Sequence, residues 1–268
     1  MFVLKMKSIA GKLILITGVA IALVLLVSNV LLIGQTSERV STLTMGQADR
    51  EARSIANQVS ATVGELAGAA RSMAGVIGRG HENKFLDRKT IIDLLKINAE
   101  KNPLAFGSWF AEEPNAFDGQ AASFVGKTEF GGDKNGAFNP YWTKRKDGSI
   151  AFSVFPSDYK ADWYSLAAQT KKGAMSTPYA ETGTGEGVTM TSIAYPVFSG
   201  DKMIGVAGVD ISLSTLSKQL QAMHPFGTGR VLLLAQGGKW VVAPKPDLSM
   251  KVYEGEGSDV ITKAFSSL

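Results

Sequence analysis

LILITGVAIALVLLVSNVLLIG, Leu13 to Gly34, is a run of 22 residues without a charged side chain. That is long enough to cross a hydrocarbon core of roughly 30 Å as a single helix. A cleavable signal peptide is the rival reading, but its apolar core is about 7–15 residues and ends at a small-residue cleavage site. Here the run is longer and continues into Gln35, Thr36 and a polar helical stretch, so an uncleaved span over 13–34 is expected. Lys5, Lys7 and Lys12 flank it on the N-terminal side, and positive flanks stay in the cytoplasm. Residues 1–12 are then cytoplasmic and everything after Gly34 lies outside, periplasmic in a bacterium.

Working outward, the absence of cysteine fits an extracytoplasmic bacterial domain held by its packed core, although it does not exclude the cytosol. A net charge of +4 with no long basic block gives no sign of nucleic-acid binding. An apolar content of 45% is ample for a globular core beyond the span. The sequence stops at Ile261–Leu268, ITKAFSSL, inside an amphipathic segment, which predicts that an output region follows.

Between Thr36 and Ile77 there is neither proline nor a glycine cluster. Ala52, Ile55, Val59, Val63, Leu66, Ala70, Met73 and Ile77 step by three or four, marking one helical face. A stalk helix over 35–84 is predicted, with some 40 residues reaching about 60 Å. Its small residues Ala52, Ala56, Ala67 and Ala70 allow either a partner helix or the protein's own sheet to approach closely. Gly78, Gly80, His81 and Asn83 read as its break, and Asp87–Ala99 as a shorter amphipathic helix.

From Phe106 the period changes. GSWFAEE, ASFVG, SIAFSVF, VTMTSIAYPVF and KMIGVAGVDISL are short runs rich in aromatic and β-branched residues between turn clusters, and predict antiparallel strands. Ser199-Gly200-Asp201-Lys202 predicts a tight hairpin turn. After a helical segment at Ser214–Met223, RVLLLAQ, Gly237-Gly238 and WVVAP predict a second hairpin. The fold class is therefore α+β, with a stalk helix and two similar modules, over 85–215 and 216–268, the second cut short.

Six segments in this order carry a resemblance: FAEEPNAFDG (110–119), NPYWTKRKDGSI (139–150), DWY (162–164), TPYAE (177–181), MTSIAYPV (190–197) and GVAGVDISL (205–213). Following a transmembrane helix and a long helix, they resemble the double-Cache sensor domain of bacterial methyl-accepting chemotaxis receptors. The resemblance implies two PAS-like modules outside the cell, with the membrane-distal one binding a small ligand. It also implies a homodimer through the stalk helix, and signalling to a cytoplasmic region outside this chain.

In the amino-acid-sensing branch of that family, an Arg two residues before the Trp-Tyr pair grips the ligand carboxylate. Here that position, before Trp163-Tyr164, is Ala161, which offers no donor. Lys160 and Arg145 are nearby substitutes without the matched fork. The amine-binding half of the pattern is retained in Tyr179, Glu181 and Asp210. Trp109, Trp142, Trp163 and Tyr164 add aromatic faces, which attract cations by roughly 0.5–2 kcal/mol each. Aromatic rings with one or two acids suit a nitrogen that has no N–H to donate. The expected ligand is thus a small amine, with choline, glycine betaine or proline betaine ahead of ordinary amino acids.

Plainer readings stand beside these. Any one ring is equally at home filling a core, and Asp210 could cap the helix that follows it. Asp162 reads as a turn or surface residue, Asp118-Gly119 as a turn, and Glu112 and Glu113 as solvated or paired with nearby Lys and Arg residues. No catalytic constellation is present: there are two histidines, His81 and His224, and neither HExxH nor a P-loop. GTGEG (183–187) reads as a hairpin loop, and no calcium-loop spacing occurs. Neither enzyme activity, cofactor nor metal is expected. The same sensor on a histidine kinase or diguanylate cyclase, and a membrane-anchored structural protein, are the competing classes.

Overall fold

The structure, a computed structural model, describes residues 8–181, 187–235, 238–260 and 263. The loop expected at GTGEG, most of which falls at 182–186, and the Gln236-Gly237 part of the second turn lie outside them. Two compact units are present, Met1–Val59 and Ser60–Leu268, and one helix, α1 (Ile9–Glu82), contributes to both.

In the first unit α1 contains an 18-residue window of mean hydropathy 2.6, none of it buried against protein. Leu23 and Ile33 are 57% and 67% exposed, so this apolar segment packs against no other part of the described chain and is long and apolar enough to cross a membrane. Two of its polar side chains bond back to the helix's own backbone. Thr17 Oγ1 donates to the Leu13 carbonyl at 2.8 Å and Asn29 Nδ2 to the Leu25 carbonyl at 2.8 Å. Ala52 and Ala56 are exposed.

In the second unit α1 buries Leu66, Ala70, Met73, Ala74 and Ile77, the expected three-four spacing. Ala70 therefore packs into the protein's own core. Gly78 and Gly80 do not break the helix, which runs to Glu82. Their role is close approach: a Cβ on Gly78 would sit 2.1 Å from the Phe198 carbonyl oxygen. Gly78→Ala is expected to destabilise by about 1–3 kcal/mol, lowering the thermal midpoint by about 2–4 °C per kcal/mol, as circular dichroism would measure.

The second helix, α2 (Arg88–Lys101), begins where expected, because Asp87 Oδ1 accepts from the Thr90 N–H at 2.8 Å as its N-cap. Then follow β1 (Ala105–Glu112), β2 (Pro140–Lys144), β3 (Ile150–Val154), α3 (Asp162–Thr170), β4 (Ala174–Met175), β5 (Tyr179–Ala180), β6 (Thr189–Ser199) and β7 (Lys202–Ser212). They form one antiparallel sheet in the order β3-β2-β1-β7-β6-β4, with β5 also on β6. Ser199 pairs with Lys202 across the Gly200-Asp201 turn, where Gly200 has φ +58°, as the hairpin reading required.

All of β1 is buried. On one face Ser108 donates to the Met73 sulfur of α1 at 3.4 Å and accepts from Asn98 of α2; the other face carries Trp109. The expected strand at ASFVG is instead a 3-10 turn, Ala121–Phe124. Phe124 there packs on Phe130 and lies under the Arg88 guanidinium, 4.0 Å from its ring centre. So short an apolar run carries too few residues to declare its period.

Beyond the sheet, α4 (Leu213–Gln221) is capped by Ser212, whose Oγ accepts from Thr215 N–H. A two-stranded sheet of β8 (Leu233–Leu234) and β9 (Trp240–Val242) follows.

Candidate functional site

Strand alternation decides which aromatic residues meet. On β1, Trp109 points away from the α1–α2 face; its cross-strand neighbour on β2 is Tyr141, and on β7 it is Gly208. A Cβ on Gly208 would come within 2.3 Å of the Trp109 ring. The bare glycine thus lets the indole lie flat over β7. Two residues on, Asp210 stands opposite Ser192 of β6.

Asp210 is 1% exposed. Its Oδ1 accepts from Trp109 Nε1 at 2.9 Å and from Ser192 Oγ at 2.6 Å, and its Oδ2 accepts from the Tyr141 hydroxyl at 2.6 Å. Tyr179 extends the network through a 2.8 Å hydroxyl contact with Ser192. Burial pushes the Asp210 carboxyl up to about 6, against the pull of the Ser192, Tyr141 and Trp109 donors. The Tyr141 hydroxyl is held far above its ordinary value by burial first and by Asp210 second. Helix capping is not the role of Asp210, since Ser212 performs it.

Beside this carboxylate is a cavity of about 450 Å3, a size suited to a small organic ligand. Trp109, Tyr141, Phe155 and Trp163 wall it with edge-to-face rings, the Trp109–Trp163 centroids lying 5.2 Å apart at 82° and the Phe155–Trp163 centroids 5.4 Å apart at 83°. Tyr179, Met190 and the acids Asp158, Asp162, Glu181 and Asp210 complete the part that bears on charge. Among the described residues that line it there is no Lys, Arg or His. Ala161 lines it without a donor side chain, whereas Lys160 and Arg145 are exposed and stand off it.

Of the residues singled out by sequence, Trp109, Trp163, Tyr179, Glu181 and Asp210 line this cavity; Trp142 and Tyr164 do not. Trp142 follows Tyr141 on β2 and so faces the opposite side, where its Nε1 donates to the Ile92 carbonyl at 2.9 Å. Tyr164 turns into the interior, donating to Glu113 Oε1 at 2.5 Å and packing on Tyr159. Trp142→Phe is expected to leave ligand affinity within about twofold while losing about 1 kcal/mol of stability with its hydrogen bond, read by titration and melting of the same variant.

Tyr141, Phe155 and Met190 line the cavity without having been singled out by sequence; Tyr141 takes the place expected for Trp142 because the pairing of β2 with β1 sets it beside Trp109. Asp162 is a lining residue that accepts from Thr177 Oγ1 at 2.8 Å. Glu112 is not solvated but fully buried, which raises its pKa. Asp118 combines turn chemistry with a two-pronged bond to Arg88, at 2.7 and 3.1 Å.

An aromatic cavity floored by a buried carboxylate, on a Cache-type sheet, defines a small-molecule sensor module. Residues 91–218 match the family described as methyl-accepting chemotaxis protein-like, first PDC sensor domain. A solved structure of "Methyl-accepting Chemotaxis protein X" is 54% identical, with a TM-score of 0.80, and the match covers 85% of this chain and 84% of that one. The chain belongs to this family of chemoreceptor sensor domains.

Among curated relatives, the methyl-accepting chemotaxis protein TlpQ of Pseudomonas aeruginosa is 28% identical over 176 residues, 59% of this chain and 25% of its own length. PscA of Pseudomonas syringae pv. tomato is 38% identical over 99 residues, 36% of this chain and 15% of its own length. The chain thus matches a quarter or less of the length of these relatives.

Proposed function

We propose that this chain is the membrane-anchored, extracytoplasmic sensing part of a chemoreceptor, and that it binds a small amine, with the quaternary ammonium compounds choline, glycine betaine or proline betaine ahead of common amino acids. In this reading 13–34 spans the cell membrane, 35–84 is the stalk through which two copies pair, 85–215 is the ligand-binding module and 216–268 the start of a second. Signalling to a chemotaxis output then runs through a part of the protein outside this chain.

One observation carries the ligand assignment: the cavity combines five aromatic rings with four acidic side chains and no cationic side chain among its described lining residues. Such a surround stabilises positive charge through ring quadrupoles and carboxylate fields together. A quaternary nitrogen, unable to donate a hydrogen bond, loses little there, because rings ask for none. Choline brings no carboxylate; the betaines share with amino acids a carboxylate for which Ala161 supplies no counter-charge, but unlike the amino-acid ammonium they bring no N–H groups to be desolvated against the rings. That difference ranks the two classes.

Calorimetric titration of the full chain in a non-ionic maltoside detergent tests the ranking, choline-headgroup detergents being excluded as competitors. Micromolar binding of a betaine or choline with no binding of common amino acids is expected. The reverse pattern would refute the proposal, and an output domain carrying kinase or cyclase motifs would redirect its signalling half.

A further inference from the structure

The second unit has another cavity, of about 430 Å3, bounded by α1, the α3–β4 connection and β6. Its chemistry is opposite to that of the first. Arg71 reaches it from α1, Lys171 and Lys172 from the turn after α3, and Tyr195 and Phe198 from β6, with no acidic residue among the described lining.

Three arginines of this chain have carboxylate partners: Arg53 with Asp49, Arg79 with Glu82 and Arg88 with Asp118. Among the described residues, the side chains of Arg71 and Lys172 have none. Lys171 Nζ reaches only the Met203 thioether, at 3.2 Å, a contact that neutralises nothing. The Tyr195 hydroxyl, on a half-buried side chain, also makes no hydrogen bond among the described residues. Its ring is fixed from the side: a Cβ on Gly173 would lie 2.3 Å from it, so the backbone beside Lys172 rests directly on the aromatic face. Lys171 sits at the C-terminal end of α3, where the helix dipole favours a cation, but that accounts for neither Arg71 nor Lys172.

We propose that this groove is a second binding site, for a small multivalent anion bearing carboxylate or phosphate groups. Arg71 offers a planar fork that matches either group with two parallel bonds, Lys171 and Lys172 supply point charges, and the Tyr195 hydroxyl adds a neutral donor. The volume accommodates a molecule of citrate size. The site goes beyond the amine reading and does not depend on it.

Its position ties it to the amine cavity nonetheless. Asp162 and Trp163, at the start of α3, and Met190, near the start of β6, line the first cavity, while Lys171, the residue that ends α3, and Tyr195, Pro196 and Phe198, in the second half of β6, line the second. An anion at one end and a cation at the other thus bear on one helix and one strand.

The test uses the full chain in maltoside detergent and Tris chloride, with citrate and inorganic phosphate as probes and sodium chloride matched for ionic strength. Citrate at ten times its dissociation constant is expected to raise the melting midpoint by about 3 °C over the chloride control. Arg71→Ala combined with Lys172→Ala should weaken it at least tenfold by titration, circular dichroism remaining unchanged. A citrate and phosphate response no larger than that of chloride, or one equal in the double variant, would overturn the site. Glycine betaine titrated into the same samples keeps the two readings apart: its failure counts against the amine cavity only, and a normal betaine isotherm without a citrate response counts against the groove only.

Discussion

Asp210→Asn is expected to weaken binding of a quaternary ammonium ligand by roughly 100-fold or more, since it removes the charge from a desolvated ion contact, while the unliganded protein becomes more stable at neutral pH. Both effects have one cause. The carboxylate is enclosed with neutral donors only, so burial raises its pKa to about 6 from 3.8. A carboxyl whose folded pKa lies above its unfolded value makes the native state less stable when ionised. Its cost is present above about pH 6 and fades as pH falls towards the unfolded value.

Asparagine keeps the shape and removes that cost, with its amide oxygen available to Trp109 and Ser192 and its amide N–H groups facing the Tyr141 hydroxyl, which can accept. Binding of a cation depends on the opposite state. Affinity in the wild-type protein is therefore expected to fall about tenfold per pH unit below about 6, and the Asn variant should show no such slope. A pH-independent affinity in the parent, or a variant that binds as tightly as the parent, would remove Asp210 from the site.

The second large effect concerns the half-buried wall. Trp163→Ala is expected to cost about 1–2 kcal/mol of affinity, roughly 5- to 30-fold, through the lost cation–ring attraction. Little stability should be lost, since Trp163 is the one indole of the box that remains partly exposed. Trp163→Phe should recover part of the affinity, because a phenyl face retains a weaker quadrupole. Equal loss in the Phe and Ala variants would mean that the indole acts through its N–H or its bulk, and titration of the three proteins at pH 7.5 separates these outcomes.

How far the site can be read without coordinates follows from the geometry of strands. Trp109 and Asp210 lie on long strand-like runs that the sequence marks, but the Gly200-Asp201 turn alone would pair Ser192 with Val209; a bulge between Val197 and Phe198 shifts the register by one and brings Ser192 opposite Asp210, and nothing in the sequence announces that bulge. What stays hidden is the parity of short strands. β2 has five residues, and without its partner nothing decides whether Tyr141 or Trp142 faces the ligand. A preference for the stronger cation binder then favours the wrong neighbour.

Gly78 illustrates a second blind spot: glycine inside an apolar helical pattern reads as a breaker unless the backbone that presses against it is known. Glu112 illustrates a third. A charged residue at the end of a buried strand follows its strand into the core, whereas composition alone assigns it to water. The long N-terminal helix and α2 were legible because each is carried by many residues or by a cap, and for α2 Asp87 supplies that cap with its Oδ1, which accepts from the Thr90 N–H.

The most direct measurement is a crystal structure of the sensor domain grown with glycine betaine at neutral pH. The ligand nitrogen is expected within about 6 Å of the Trp109 and Trp163 ring centres, with its positive end turned towards Asp210. Electron density for the betaine in a different cavity, or this cavity filled by an anion that contains no nitrogen, would contradict the account.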